Sequence, residues 1–447
     1  MRKTTRAFLI VLHGFLGLTL AYSIRIILSP AIMRLTKMHG WDEGLQGILL
    51  SAFYWGYMVL QVPGGYLSHR FGAKWVMVLS LLGSALLNSV IPILGSSLEL
   101  SFLVRFACGL LQGMYWVSTL NIISTWVSKA QMSLAVSFAL AGQHFGSALI
   151  QGLYAPIASA FQWYTPFHLL TGLTILWTIS WTFFGKSRLS ESDKREEAMS
   201  SIDSERSSIA QSDAPGQDLT FKETLSYKEV WAFVIVLFCY NWSFYFLVSY
   251  LVKFLHLHLG FSETTSGLYS FSAYGLLCLS LTASGKFTSA VIASGKMNVT
   301  KVRKYGVAIG IIPSAVLIFL IPVLYNYVSA SALAAILVAA IAISGIAHGS
   351  FMTNPVDLNP INPGVIGGLG NTIATIPGII VPIINGAILN SGGCSTDPIS
   401  LQCWNAWRIL FIVSGSLYVV GLAVWLAFSS GKPLNQESKR VSKLIPY

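Results

Sequence analysis

Charge is what this chain has least of. Only 10% of its 447 residues are Asp, Glu, Lys or Arg, while 54% are hydrophobic. A soluble domain of that length needs more charge to cover its surface, so a water-surrounded globule is excluded. Acids are scarcer than bases, 17 against 28, and no Asp or Glu lies deep in a long apolar run. Walker-type phosphate loops, metal-ligating clusters and catalytic triads are missing too, so ATP-driven work, a metal or other cofactor and enzymatic chemistry have no residues to support them. The opening residues do not read as a cleavable signal sequence, because Arg25 interrupts the apolar stretch and no small-residue cleavage site stands out.

What is abundant is apolar sequence in pieces long enough to cross about 30 Å of hydrocarbon, roughly 17 to 25 residues each. Twelve are expected, at Ala7–Leu28, Leu45–Gly64, Trp75–Leu94, Ser101–Ile123, Met132–Ile157 and Phe167–Phe184, then Val230–Phe254, Glu263–Phe287, Val307–Tyr325, Ala330–Phe351, Gly364–Leu389 and Trp407–Phe428. They are too long and too uniformly apolar for the alternating strands of a closed barrel. The expectation is an all-α membrane protein of twelve transmembrane helices in two six-helix halves, residues 1–185 and 229–429. The polar, Ser-rich stretch 186–228 is a flexible linker between them, since it cannot bury a core, and 430–447 is a tail.

Basic residues orient the chain. Most of the 28 Lys and Arg fall on the side shared by the N-terminus, the loops with Arg70, Lys74 and Lys129, the linker, the stretch KMNVTKVRK and the tail. The opposite loops hold Arg34, Lys37, Lys253 and Arg408, so the basic side is expected to be cytoplasmic. Basic loops beside an anionic lipid leaflet account for the net charge of +11 without any nucleic acid. Of five cysteines, Cys108, Cys239 and Cys278 lie in spans and read as small apolar residues. Cys394 and Cys403 share a loop on the far side, where a disulfide persists in an oxidising compartment. The sequon of Asn298 falls on the cytoplasmic side and that of Asn241 within a span, so neither is expected to carry a glycan.

Two six-span halves about a linker suggest a major facilitator architecture, whose halves rock about a midplane site. The stretch GGYLSHRFGAKW, with Gly65, Arg70, Gly72 and Lys74, resembles the signature between spans two and three of that superfamily, although His69 stands where an acid is usual. FYWGYMVLQVPGGYL, YSIRIILS, NWSFY and NTIATIPGIIVP together resemble the anion transporter family that includes sialin, the vesicular glutamate transporters and the sodium/phosphate-type transporters. The resemblance covers nearly all twelve spans and is weakest in the linker and the first outer loop.

Two arginines lie well inside spans, Arg25 and Arg105. Arginine stays protonated and presents a planar fork suited to carboxylate or phosphate. Arg105, Gln112 and Trp116 share one face of span four; Tyr22, Arg25 and Ser29 make a polar face on span one. The resemblance implies that Arg25 and Arg105 serve substrate binding and coupling, and that Tyr245 belongs to the site. The plainer alternative has Arg25 snorkelling or bonded to carbonyls and Arg105 capping or stabilising an interface. Departures from the family bear on the driving force. Gln112 stands where proton-coupled relatives have Glu, Ile24 where bacterial ones have Asp, Leu50 and Tyr240 where the glutamate carriers have His and Arg. The usual proton carriers are thus absent. His144 and His348 are the remaining groups able to titrate near neutral pH.

These readings point to a secondary carrier of small organic or inorganic anions by alternating access, with Arg25, Arg105, Tyr22, Gln112 and Tyr245 forming the site and membrane potential as a driving force. Co-transport of sodium or a proton stays open, as does an anion channel or a nontransporting sensor on the same fold. Phosphate, carboxylates and acidic sugars are all candidates, and either the plasma membrane or an intracellular vesicle is possible.

Overall fold

The computed structural model describes residues 3–61, 63–94, 97–127, 129–186, 221–360 and 363–434. Most of the expected linker, 187–220, and of the expected tail, 435–447, lie outside the described residues. The first run of helices is α1 (Lys3–Ile26), α2 (Leu28–His39), α3 (Glu43–Gln61), α4 (Pro63–Phe71), α5 (Ala73–Leu94), α6 (Leu98–Trp126), α7 (Lys129–Ala160) and α8 (Thr165–Phe184). The second is α9 (Phe221–Thr224), α10 (Lys228–Lys253) with a π turn at Phe254–His258, α11 (Glu263–Ala293), α12 (Val299–Leu324), α13 (Ala330–Phe351), α14 (Asn354–Leu358), α15 (Pro363–Ser391) and α16 (Leu401–Phe428).

The protein is a multi-pass, all-helical membrane protein, with a long helix at each of the twelve expected spans. Among the described residues ten helices are long and apolar enough to cross a membrane. The other two expected spans fall on α3 and α7, whose hydropathy is lowered by Gln46, Gln61, His144 and Gln151; all four are buried against neighbouring helices. Several ends are fixed locally by side chains that satisfy a free N–H of the first turn. Ser97, Ser262, Asn298, Ser329 and Ser400 accept from Leu100, Thr265, Lys301, Ala332 and Cys403. Large apolar side chains such as Phe8, Ile93, Phe183 and Phe287 are 64 to 79% exposed on the outer surface. A belt of that kind belongs in lipid.

Two details of packing position the site. The first span passes from α1 to α2 at Ile27, which keeps helical dihedrals and bonds Ser23 and Ala31, and Pro30 has no N–H to offer the carbonyl of Ile26. Helices α3 and α6 cross in close backbone contact: Gly56 lies on Phe106, and Gly109 and Gly113 lie on Phe53 and Tyr57, with no room for a Cβ. Small residues there bring the polar face of α6 beside the aromatic face of α3.

Helices α1 to α8 pack mainly among themselves, as do α10 to α16; the principal crossings between the two groups are α3 on α15 and α7 on α11. Bonds across this divide run along its length. At the end distant from the N-terminus, called here the upper end, Arg34 pairs with Glu263 at 2.8 Å, Lys253 pairs with Glu43, and the Ser29 hydroxyl donates to the carbonyl of Ser249 at 2.7 Å. Midway, His144 meets His348. Nearer the lower end, the Thr375 hydroxyl reaches Gln61 at 3.4 Å. Cys394 and Cys403 form a disulfide in the upper-end loop between α15 and α16, while Cys108, Cys239 and Cys278 are free. Asn241 donates to the carbonyl of Ala374 inside the bundle, and Asn298 is a helix cap.

Candidate functional site

Arg25 ends α1 as a buried residue, 5% exposed. Its guanidinium sits in a cage of rings, 4.2 Å from the centroid of Tyr22, 4.4 Å from Tyr57, 4.8 Å from Phe53 and 5.8 Å from Tyr54. Among the described residues no carboxylate comes within ion-pair distance, and its Nε has no hydrogen-bond partner. Each ring offers a desolvated cation about 0.5–2 kcal/mol of attraction. The cage thus holds the charge without neutralising it. Tyr22 comes from the same helix face three residues earlier, and Phe53, Tyr54 and Tyr57 line one side of α3.

Beside the cage is a small cavity lined by Tyr22, Arg25, Tyr57, Gln112, Tyr115, Trp116 and Gln143, with Leu18 and Ala21. One cation, two carboxamides and several hydroxyls therefore converge. Gln112 donates to the Ser84 hydroxyl at 3.2 Å, and the other end of its carboxamide has no partner. Of the residues singled out from sequence, Tyr22, Arg25 and Gln112 meet here. Tyr57, Tyr115 and Gln143 do as well, and sequence reading did not single them out. Tyr57 shares the YWGYM run with Tyr54, but a ring in such a run faces lipid as readily as a cavity.

Arg105 is placed differently. It is 1% exposed and does not line the cavity. One terminal nitrogen donates to the carbonyl of Ile24 at 3.2 Å and to Asn88 Oδ1 at 3.3 Å; the other donates to the carbonyl of Arg25 at 2.7 Å. Phe53 packs against both guanidiniums, 5.2 Å from that of Arg105. Tyr245 does not line the cavity but meets Tyr54 edge-on at 4.8 Å, beside the ring cage of Arg25.

His144 and His348, 204 residues apart, are hydrogen-bonded, Nε2 to Nδ1, at 3.3 Å. His144 also meets the edge of Phe244, and His348 stacks on Tyr240 at 4.9 Å. A second buried polar group escaped the sequence reading. Glu43 is the one buried carboxylate among the described residues, at 2% exposure, and it pairs with Lys253, at 5%. Lys253 also donates to Gln46 Oε1 at 2.5 Å. Both charges lie at helix ends, where sequence alone suggests loop residues.

The signature stretch forms the tight connection from α4 to α5. Gly72 adopts φ 84°, a conformation costly for any residue with a Cβ. Arg70 donates to the Tyr66 hydroxyl at 3.2 Å, Lys74 to the carbonyl of Thr182 at 2.7 Å, and Gly65 faces Val117. Metal-ligating groups of three or more side chains are absent among the described residues.

A bundle of long apolar helices in two packed groups, with a buried polar cavity among them, is the form of a membrane transporter. Residues 14–382 match the sequence profile of the Major Facilitator Superfamily, and the chain belongs to that family. Curated relatives include probable anion transporter 4 of rice chloroplasts, 27% identical, covering 95% of this chain and 68% of that one. The chloroplastic sodium-dependent phosphate transport protein 1 of Arabidopsis thaliana is 26% identical, with 96% and 80% covered. Human sialin is 26% identical, with 89% and 78% covered. The fold resembles the crystal structure of a bacterial homolog of the human lysosomal transporter Spinster in an inward-facing, unoccupied conformation, with TM-score 0.71, 13% identity and 95% and 97% covered.

Proposed function

We propose that this protein is a secondary carrier of small anions that works by alternating access, with Arg25 receiving the negative group. The observation that carries this reading is the guanidinium of Arg25, which borders a polar cavity and has no carboxylate partner among the described residues. Gln112, Gln143, Tyr22, Tyr57 and Tyr115 supply neutral hydrogen-bonding groups around it. A single cation at the cavity suits a monovalent anion better than a divalent one, because a second negative charge would be buried unpaired. Relatives named for phosphate, ascorbate and anion transport support the anionic substrate class.

The driving force is taken to be the membrane potential, worth about 2.3 kcal/mol per charge per 100 mV. The His144–His348 bond favours a second reading, proton-linked transport, since imidazole is the side chain suited to taking up and releasing a proton and these two share one bond between the helix groups. Sodium coupling has no comparable group to support it. The basic lower end is assigned to the cytoplasm on the charge bias of its loops, which makes residues 1–185 and 229–429 two cytoplasmically linked halves. Uptake of radiolabelled phosphate, ascorbate and acidic sugars into proteoliposomes, under separately imposed voltage, pH and sodium gradients, tests the whole reading. Saturable flux that follows voltage alone supports it. Saturable flux indifferent to voltage overturns the electrogenic version, and non-saturating flux points to a channel; specific binding without flux points to a sensor.

A further inference from the structure

Arginine on span four has the charge of an anion ligand and the bonding of a clamp. Its two terminal nitrogens donate to main-chain oxygens just before Ile27, one of them the carbonyl of Arg25 itself, while its Nε has no partner. Those carbonyls lie just before α1 passes into α2 at Ile27, and Pro30, which brings no N–H, follows within the next turn. An unsatisfied carbonyl in the membrane interior is costly, and a planar guanidinium can serve two successive carbonyls at once, which an ammonium on a flexible stem cannot do with fixed geometry. Asn88 holds the same guanidinium from α5, and Phe53 packs against it.

We propose that Arg105 is a positioning residue and not a second anion ligand: it ties down the turn before Pro30 in the first span and so fixes the backbone from which Arg25 reaches the cavity. The proposal rests on Arg25 as the anion site.

Hydrogen–deuterium exchange of the full-length protein in lipid nanodiscs reads the turn without any ligand. Arg105→Lys and Arg105→Gln are both expected to speed exchange of the amides at Ile27 to Leu28 and Ala31 to Ile32 about tenfold, the scale of one charge-assisted hydrogen bond. Asn88→Ala, which removes no charge and leaves the fold's other contacts, gives a smaller increase if the arginine variants do not fold. Pro30→Ala returns an N–H to the turn and slows exchange again in the Arg105→Gln background. In proteoliposomes loaded with radiolabelled ascorbate or phosphate, Arg105→Lys raises KM as Arg105→Gln does, and Pro30→Ala restores it in part. Arg105→Lys with wild-type exchange and wild-type KM overturns the proposal, because charge alone then suffices. Unchanged exchange in Arg105→Gln overturns it as well. An Arg25→Gln variant that transports normally sinks instead the anion site on which the proposal rests, while the exchange results stand apart from it.

Discussion

Lys253, at the last turn of α10, donates to Glu43, at the first turn of α3, across the divide between the two helix groups. With the Arg34–Glu263 pair and the Ser29 bonds, it fastens the upper end. The pair sits above Arg25, so an upward opening of the site requires these bonds to part.

Glu43→Gln is therefore expected to weaken closure of the upper end, by about 3–5 kcal/mol if the lysine stays buried. Cysteine introduced at Ser29 should then become alkylated from the upper side faster than in the parent. The exchange Glu43→Lys with Lys253→Glu should recover the slow rate. A double variant as reactive as either single one counts against the pairing as the source of closure.

Arg25→Ala should abolish saturable uptake. Arg25→Lys keeps the charge and loses the fork and the stacking, so KM should rise about tenfold, or ~1.4 kcal/mol. Equal KM for lysine and arginine would show that charge alone recruits the anion.

The His144–His348 bond needs one ring nitrogen to accept. It forms when both rings are neutral or one is charged, and it is lost when both are charged. Phe244, Tyr240 and Phe351 are the rings against the pair, and none carries charge near neutral pH. Uptake should consequently fall on the acid side, and His348→Asn should flatten that part of the profile. An unaltered profile in the variant removes the pair from the cycle.

Replacing Cys394 and Cys403 by serine removes a crosslink that closes a short loop at the upper surface. Thermal unfolding should be easier by about 2–3 kcal/mol. KM should not move, since the loop touches neither the cavity nor the Arg25 cage.

The spans were legible because hydrocarbon imposes length and composition on every one of them, and the polar faces of spans one and four were legible because helical spacing puts Arg25 beside Tyr22 and Arg105 in line with Gln112. What each arginine bonds was not legible. That depends on the turn before Pro30 and on the glycine-mediated approach of α3 to α6, which decide whether a guanidinium meets a cavity or a carbonyl. Glu43 and Lys253 escaped for a related reason: a charge near a helix end reads as solvated until another helix covers it. His144 and His348 were each visible as titratable, but their meeting depends on how two distant helices pack.

The aromatic cage gives Arg25 a further consequence. Rings attract a cation but carry no charge to subtract, so the unloaded site stays positive throughout the cycle. A bound monoanion cancels one unit, and the unloaded return becomes a step that moves positive charge through the field. A potential negative on the lower side then draws the empty carrier back to that side, which speeds the return step of export and favours exit of the anion toward the upper side. The sign of the steady-state current, more than the identity of the cargo, would reveal which way this cage was built to work.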